Sequence, residues 1–126
     1  MAHLTEEIKA VAEESFVWML STVNDDDSPR TIPVHYKKIL PNDEMMIVNN
    51  YMKTTLNNLK ARPDKVSLTF WDAGVVCHIE GSARIDSSGE IYQEGVKIVK
   101  DKRPNLSPKS VVVLKVTSTN IWYRPG

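Results

Sequence analysis

Residues 66–85 of the chain read VSLTFWDAGVVCHIEGSARI and carry the clearest structural signal in the sequence. Two runs rich in β-branched, aromatic and other apolar residues, 66–71 and 75–85, flank the tight sequence Asp72-Ala73-Gly74. Strand-forming runs on either side of so short a turn are typical of a β-hairpin. We therefore expect two paired strands in this part of the chain.

The residues before this hairpin predict a helix followed by three strands. Apolar residues recur at helical spacing at Leu4, Ile8, Val11 and Ala12, behind Thr5 as an N-cap, which predicts a short amphipathic helix over 5–14. Runs typical of strands follow at 16–23 and 31–40, on either side of the turn-forming residues 24–29, and again at 45–48.

A second helix is predicted between these strands and the hairpin, and a third helix after it. The second has Asn50 as a candidate cap, an apolar face of Met52, Leu56 and Leu59, and an end at Arg62 and Pro63. The third runs over 91–99 and precedes a last strand at 111–117. The resulting order, α-β-β-β-α-β-β-α-β, predicts a mainly β protein with flanking helices packed outside a barrel. Trp18 and Trp71 are expected in its interior.

Composition limits the classes of function. The 126 residues suit one domain, and 16 Lys and Arg balance 16 Asp and Glu, so no excess positive charge is available to bind a nucleic-acid backbone. The only cysteine, Cys77, cannot form an intrachain disulfide, and the N-terminal residues lack the apolar run of a signal peptide. No run is long enough to span a bilayer. These features predict a cytoplasmic protein without nucleic-acid or membrane partners.

Several segments, taken in order, resemble the pyridoxamine 5′-phosphate oxidase-like split-barrel family, and in particular its short FMN-binding proteins. The segments are residues 30–36 (RTIPVHY), 46–50 (MIVNN), 52–59 (MKTTLNNL), 66–71 (VSLTFW), 78–83 (HIEGSA) and 120–123 (NIWY). The resemblance implies a single domain over 1–126, folded as a six-stranded antiparallel split β-barrel. It also implies a homodimer with two identical FMN sites between the subunits.

Lys53 and Thr54 are candidates for binding the FMN phosphate. They lie where the second helix begins, and the free N–H groups and positive end of a helix dipole favour a phosphate there. Arg30 is a candidate for a further cation, since the phosphate carries up to two negative charges. The competing interpretation is that all three are ordinary solvated or helix-start residues.

Strand alternation within residues 30–36 places Thr31, Pro33 and His35 on one face and the residues between them, including Val34, on the other. Pro33 cannot donate to a sheet ladder, so the strand is an edge or is bulged there. The resemblance implies that Arg30, Thr31, Pro33, Val34 and His35 run along the flavin ring. A structural pairing of His35 across strands is an alternative.

The remaining candidates come from later segments. The resemblance implies that Val48, Asn49 and Asn50 lie under the ribityl chain and ring, while Asn50 could equally be a helix cap. Asn57 is a mediocre helix former one turn inside the helix, which permits a ligand contact. The resemblance implies that Trp122 reaches the partner's flavin; the alternative is that it fills the dimer core or plugs the barrel.

Three other groups of residues are not expected to form functional sites. Cys77 and His78 are adjacent in a strand and point to opposite faces, so they cannot pair as nucleophile and base. The acidic residues 25–27 lack the spacing of a calcium loop, and no metal site is predicted. The basic run Lys97, Lys100, Lys102 and Arg103 is interpreted as the solvated face of the third helix.

The resemblance implies an oxidoreductase that passes electrons or hydride between a reduced donor and a small acceptor through FMN, with no catalytic residue assigned. The alternatives are an electron-carrier or flavin-binding module without a substrate, and a relative that uses F420 or haem. We do not expect pyridoxamine phosphate to be the substrate. True pyridoxamine 5′-phosphate oxidases use a paired arginine and histidine near the C-terminus for the vitamin phosphate, and of this pair only Arg124 is present here. F420 is disfavoured because few cationic residues are expected near the site.

Overall fold

The computed structural model describes residues 3–123, which form three helices and seven strands. In chain order these are α1 (Glu6–Glu14), β1 (Trp18–Val23), β2 (Pro29–Val34), β3 (Lys37–Leu40), β4 (Glu44–Asn49), α2 (Thr54–Ala61), β5 (Val66–Asp72), β6 (Val75–Asp86), α3 (Glu90–Lys102) and β7 (Ser110–Tyr123). The structure confirms a mainly β protein with flanking helices. None of the three helices in this part of the chain is long and apolar enough to cross a lipid bilayer. Arg124 lies outside the described residues.

The strands form one antiparallel sheet in the order β2-β1-β5-β6-β7-β4-β3. β2 and β3 are therefore its two edges, although only His35 and Tyr36 separate them in the chain. The link from Val34 to Lys37 spans at most roughly 11 Å, whereas seven strands laid flat would place their edges roughly 29 Å apart. The sheet therefore curls until its edges approach each other, and the result is the half-barrel expected of a split barrel.

The predicted number of strands, six, is wrong, because the sheet has seven. The predicted strand 31–40 is two strands, since the backbone leaves one edge of the sheet and joins the other. Val34 pairs with Trp18 of β1, whereas Lys37, three residues later, pairs with Ile47 of β4. At the crossing, the backbone N–H of Val48 donates to the Tyr36 carbonyl at 3.0 Å and fixes the link against β4.

Apolar side chains fill the inside of the curl and a second layer beneath α3. The inner cluster includes Trp18, Phe70 and Leu114, and α1 closes it with Ile8 and other residues. In the second layer, α3 packs on the outer faces of β4 and β7. Gly95 allows this close approach, because a Cβ atom there would lie 2.4 Å from Cγ1 of Val111. β4 is consequently covered on both faces.

Trp18 lies in the interior as predicted, with 1% of its surface exposed, and its Nε1 donates to the Ala12 carbonyl at 2.9 Å. The expectation for Trp71 is wrong, because 49% of its surface is exposed. Trp71 follows the fully buried Phe70 in β5, and successive side chains of a strand point to opposite faces. Trp71 is therefore on the outer face of the sheet.

α2 begins at Thr54 with Lys53 in the capping position, so the suggestion that Asn50 caps this helix is wrong. α2 is attached to β1 through the buried Asn58, whose Nδ2 donates to Thr22 Oγ1 at 3.1 Å and to Asn24 Oδ1 at 2.8 Å. Asn57, one residue earlier, is exposed. The position of the helix therefore depends on Asn58 and not on its neighbour.

We expect Asn58→Ala to lower the free energy of unfolding by about 1–3 kcal/mol, because it leaves the buried Thr22 hydroxyl and the half-buried Asn24 side-chain oxygen without this donor. Asn57→Ala is the matched control and should be neutral or slightly stabilising, since alanine is the better helix former. Urea unfolding of both variants and the wild type measures the difference. Equal stability of the two variants would show that the Asn58 amide does not hold α2 in place.

Candidate functional site

An open cavity of about 1040 Å³ lies where β2 passes into β3. Residues 32–37 form one wall and residues 50–55, which lead into α2, form another. The end of α1 contributes residues 13–16, and the end of α3 contributes side chains up to Leu106. These segments are distant in the sequence, and it is the closure of the sheet that brings them together.

The cavity collects eight of the twelve residues that the sequence singled out. The eight are Arg30, Pro33, Val34, His35, Val48, Asn50, Lys53 and Thr54. The other four, which do not line it, are Thr31, Asn49, Asn57 and Trp122. The segments expected at a cofactor thus meet at one place, although not every residue of each segment faces it.

The start of α2 forms a cationic corner of the cavity. Lys53 and Thr54 both line it, and the first turn of α2 contains no acidic residue, in contrast to α1 and α3. Arg30 reaches the same corner, because its Nε donates to Thr55 Oγ1 at 3.2 Å. This corner combines free helix N–H groups with two positive charges, which is an arrangement that favours an anion.

The two asparagines at the end of β4 differ in what they do. The Asn49 side chain is fully buried, donates to Ser110 Oγ at 2.9 Å and accepts from the Met52 N–H at 2.8 Å. Asn49 therefore shapes the turn and does not face the cavity. Asn50 does line the cavity, and its Oδ1 is buried without a hydrogen-bond partner among the described residues. Because an unpaired buried acceptor is costly, this atom is suited to a donor brought by a ligand.

Phe16, His35 and Lys37 contact one another on one side of the cavity. The Lys37 ammonium donates to the carbonyls of Phe16 and His35, each at 3.2 Å, and burial lowers the pKa of that ammonium. The His35 ring meets the Phe16 ring edge to face, with centroids 5.2 Å apart. Phe16 nevertheless remains 82% exposed, so this aromatic surface is available to a ligand or a partner.

The expectation of few cationic residues near the site is wrong. Five cationic residues line the cavity against two carboxylates, although the chain as a whole has no net charge. The cationic residues are Arg30, Lys37, Lys53, Lys102 and Arg103, and the carboxylates are Glu13 and Glu14. All four residues of the basic run of α3 are exposed, which agrees with its interpretation as a solvated face, and two of them, Lys102 and Arg103, border the open cavity.

Three of the predicted site residues lie elsewhere on the surface of this chain. Asn57 is exposed on α2. Thr31 is exposed on β2, where its Oγ1 lies 2.9 Å from Ser21 Oγ. Trp122 is on the outer face of the sheet, with its ring 5.7 Å from that of His78. A contact between Trp122 and a flavin of the partner chain stays a prediction.

Sequence reasoning missed several residues that line the cavity, namely Phe16, Lys37, Tyr51, Thr55, Lys102 and Arg103. The sequence predicts Phe16 at the start of the first strand, since nothing in its neighbours shows that β1 begins two residues later, at Trp18. Thr55 directly follows Thr54, and the rotation of the helix from one residue to the next buries Thr55 while Thr54 stays exposed. The basic run that contains Lys102 and Arg103 is evident in the sequence, but which of its side chains border the cavity depends on how α3 packs.

Comparison with known proteins identifies the family and the fold. A family model described as pyridoxamine 5′-phosphate oxidase matches residues 4–123. An uncharacterised protein of Methanocaldococcus jannaschii is 30% identical over 117 residues, which cover 90% of this chain and 77% of that protein.

Two crystal structures share the fold at low sequence identity. HupZ of Group A Streptococcus has a TM-score of 0.83 at 20% identity, with 97% of this chain and 98% of that chain covered. An FMN-binding protein from Syntrophomonas wolfei has a TM-score of 0.79 at 17% identity, with 98% and 88% covered. The family match extends over nearly all of the described residues, and the chain therefore belongs to the pyridoxamine 5′-phosphate oxidase family.

Proposed function

We propose that the protein is an FMN-binding oxidoreductase that acts as a homodimer and holds the cofactor in the cavity described above. The observation that carries this proposal is the meeting of Lys53, Thr54 and Arg30 at the start of α2. A flavin phosphate placed there would meet two cations and the helix N–H groups, with no carboxylate in the first turn to repel it. The family supports the same cofactor.

The rest of the cavity fits the remainder of FMN. Asn50 Oδ1 needs a donor, and FMN brings the ribityl hydroxyls and one ring N–H. Apolar side chains of Ile32, Val34 and Met52 line the same space and suit a planar ring. The cavity therefore offers groups suited to each part of such a cofactor, namely its phosphate, its hydroxyls and its flat ring.

When bound, FMN would supply transfer of electrons or hydride, and the protein would position it and exclude water. His35 is the one imidazole among the residues that line the cavity, and it is our candidate for a side chain that exchanges a proton with the ligand. Its edge-to-face contact with Phe16 and the hydrogen bond from Lys37 to its carbonyl hold it at the wall. The other ionisable residues of the cavity, such as Glu13 and Glu14, have no contact that assigns them a catalytic role, and an electron carrier remains the alternative.

The outer face of the sheet supports the homodimer. Trp71, Val76 and Trp122 are directly opposite one another across β5, β6 and β7 and form an aromatic and aliphatic row on that face. Trp71 and Trp122 are 49% and 52% exposed. A row of large apolar side chains left open to water is typical of an interface, and a self-complementary two-fold contact would cover it on both chains at once.

F420 is the second candidate cofactor, and the cationic surplus of the cavity favours it. The sequence argument against F420 required few cations near the site, and five are present. FMN remains the first choice, because the two cations and the free helix N–H groups at the start of α2 match a single terminal phosphate. Titration with each cofactor separates the two, and binding of F420 or haem in place of FMN would refute the assignment.

We expect the protein to bind about one FMN per subunit. Lys53→Ala should raise the FMN dissociation constant roughly tenfold to a hundredfold, because it removes a charge-assisted contact to the phosphate. The affinity for riboflavin, which lacks the phosphate, should change little. Fluorescence titration with both flavins measures the effect, and added salt should narrow the difference between wild type and variant.

Lys60→Ala is the matched control, because Lys60 is an exposed lysine in the last turn of the same helix. It removes the same charge from α2 without touching the cavity, so FMN affinity should stay within about twofold of wild type. Equal losses of FMN and riboflavin affinity in Lys53→Ala would place the phosphate elsewhere.

We expect a dimer in dilute solution, and Val76→Lys should convert it to a monomer, since it puts a charge at the centre of the outer row. Light scattering at micromolar concentration measures the mass. Gln93→Lys, which adds the same charge on an exposed position of α3, should leave the dimer intact. A wild-type monomer that still binds FMN would contradict a site shared between subunits.

Turnover decides between the enzyme and the carrier. With NADH or NADPH as donor and a panel of quinones and nitroaromatics as acceptors, we expect the FMN-loaded protein to exceed the rate of an equal concentration of free FMN by at least roughly a hundredfold. Steady-state absorbance at the pyridine-nucleotide band measures it. A rate no higher than that of free FMN would favour the carrier.

A further inference from the structure

Lys37 is a cation of the cavity that the phosphate position proposed above does not use. The residue is half-buried, and its ammonium donates to the backbone carbonyls of Phe16 and His35, each at 3.2 Å. The ammonium also lies 5.6 Å from the centre of the buried Trp18 ring, within the range of a cation–π contact. Contacts with three other residues therefore fix where this charge lies.

No carboxylate within residues 3–123 neutralises this charge. Lys37 forms no ion pair in that range, and the groups it contacts are two carbonyls and an aromatic ring, all neutral. Burial lowers the pKa of the ammonium, because loss of water disfavours the charged form. Glu13 and Glu14 line the same cavity, but both are exposed at the end of α1, where water and salt screen them. A partly desolvated cation of this kind is stabilised when a ligand brings negative charge into the cavity.

The neighbouring Lys38 shows that the environment of Lys37 is specific. Successive residues of a strand point to opposite faces, and the Lys38 side chain is 50% exposed on the other face of β3. There it forms an ion pair with Glu94 of α3 at 3.4 Å, and it does not line the cavity. Two adjacent lysines thus differ in burial, in neutralisation and in access to the cavity.

Lys37 lies along the wall of the cavity from the cationic corner at the start of α2. β2 runs from Arg30, which reaches that corner, to Val34, and four residues of a strand span roughly 13 Å. The link then carries the chain to Lys37, the first residue of β3. Phosphate and ring are the two ends of FMN, so a phosphate held by Lys53 and Arg30 directs the ring along β2 toward the Lys37 end.

Reduction places negative charge on a flavin ring. FMN that takes up two electrons and one proton carries one negative charge on its ring, and a second proton is needed to neutralise it. Unit charges attract each other without touching: at about 12 Å and an effective dielectric constant of about 20, the attraction changes a binding constant roughly tenfold. The oxidised ring is neutral and gains no such attraction. A cation fixed at the ring end of the cavity therefore favours the reduced cofactor.

We propose that the Lys37 ammonium raises the reduction potential of bound FMN by stabilising the reduced ring in its anionic form. The inference rests on the proposed function, because it needs FMN in the cavity with its phosphate at the start of α2. By linkage, the potential rises by about 30 mV for each factor of ten by which the protein binds reduced FMN more tightly than oxidised FMN. Lys37 itself takes up no electron and releases no proton, and it acts through its charge.

An anaerobic redox titration of the FMN-loaded protein tests the inference. Dithionite supplies the two electrons and is oxidised to sulfite, water supplies the proton, and a dye of known potential reports the midpoint. Lys37→Met removes the charge and keeps a long side chain. We expect its preference for reduced over oxidised FMN to fall roughly tenfold, which lowers the midpoint potential by about 30 mV. Lys37→Arg keeps the charge, and its preference should stay within about threefold of wild type.

Lys38→Met is the matched control, because it removes the same charge one residue away and outside the cavity. Its preference should stay within about twofold of wild type. An equal fall in Lys38→Met would reveal a long-range effect of net charge and would overturn the inference. Equal falls in Lys37→Met and Lys37→Arg would also overturn it, since the loss would then come from the carbonyl contacts and not from the charge.

The affinity for oxidised FMN, measured by fluorescence titration, separates this inference from the proposed function. If the variant Lys37→Met binds oxidised FMN like wild type and has the same midpoint potential, the inference alone is refuted. If this variant no longer binds oxidised FMN while wild type does, Lys37 maintains the shape of the site, and the inference is again refuted. If wild type binds no FMN, the proposed function fails and the inference fails with it.

Discussion

The two-residue link between β2 and β3 is the constraint on which the rest of the structure depends. Because His35 and Tyr36 must carry the chain from one edge of a seven-stranded sheet to the other, the sheet cannot lie flat. Closure follows from chain connectivity, and the inner apolar cluster then fills the space that the curl encloses. The hydrogen bond from the Val48 N–H to the Tyr36 carbonyl holds the crossing in place.

The same constraint positions the cavity. The link forms part of its wall, and each of the three helices brings one end to it. Helix ends carry unpaired backbone groups and often charged side chains, so a place where helix ends meet is readily polar and charged. Apolar strand residues that line the cavity between those helix ends supply the apolar surface. A ligand that is flat in one part and anionic in another suits this combination.

The charge around the cavity depends on where charged residues lie and not on the net charge of the chain. A chain with equal numbers of acidic and basic residues gathers five cationic residues and two carboxylates around one cavity. The carboxylates of the chain are used elsewhere, for example Glu44 with Arg84 at 2.6 Å on the surface and Glu94 with Lys38 beside α3. A local surplus of this kind needs no net charge, because charges separated by more than about 8 Å of salt solution are largely screened from each other.

The sequence by itself determined the local elements, because each depends on neighbours along the chain. The hairpin of β5 and β6, the Thr5 cap of α1 and the start of α2 at Lys53 and Thr54 follow from short-range patterns of apolar, capping and turn residues. The resemblance to the family was likewise visible in ordered segments. All twelve candidate site residues were named from the sequence, and eight of them line the cavity.

Only the tertiary structure decided which edge each strand joins and which side of each element faces the cavity. Residues 31–40 read as one strand, since alternation continues across His35 and Tyr36 and no local signal marks the change of edge. Asn49 and Asn50 are identical in type and adjacent, yet one holds a turn and the other faces the cavity. Lys102 and Arg103 differ from Lys97 only in the direction that packing imposes on α3, and direction depends on contacts between residues far apart in the chain.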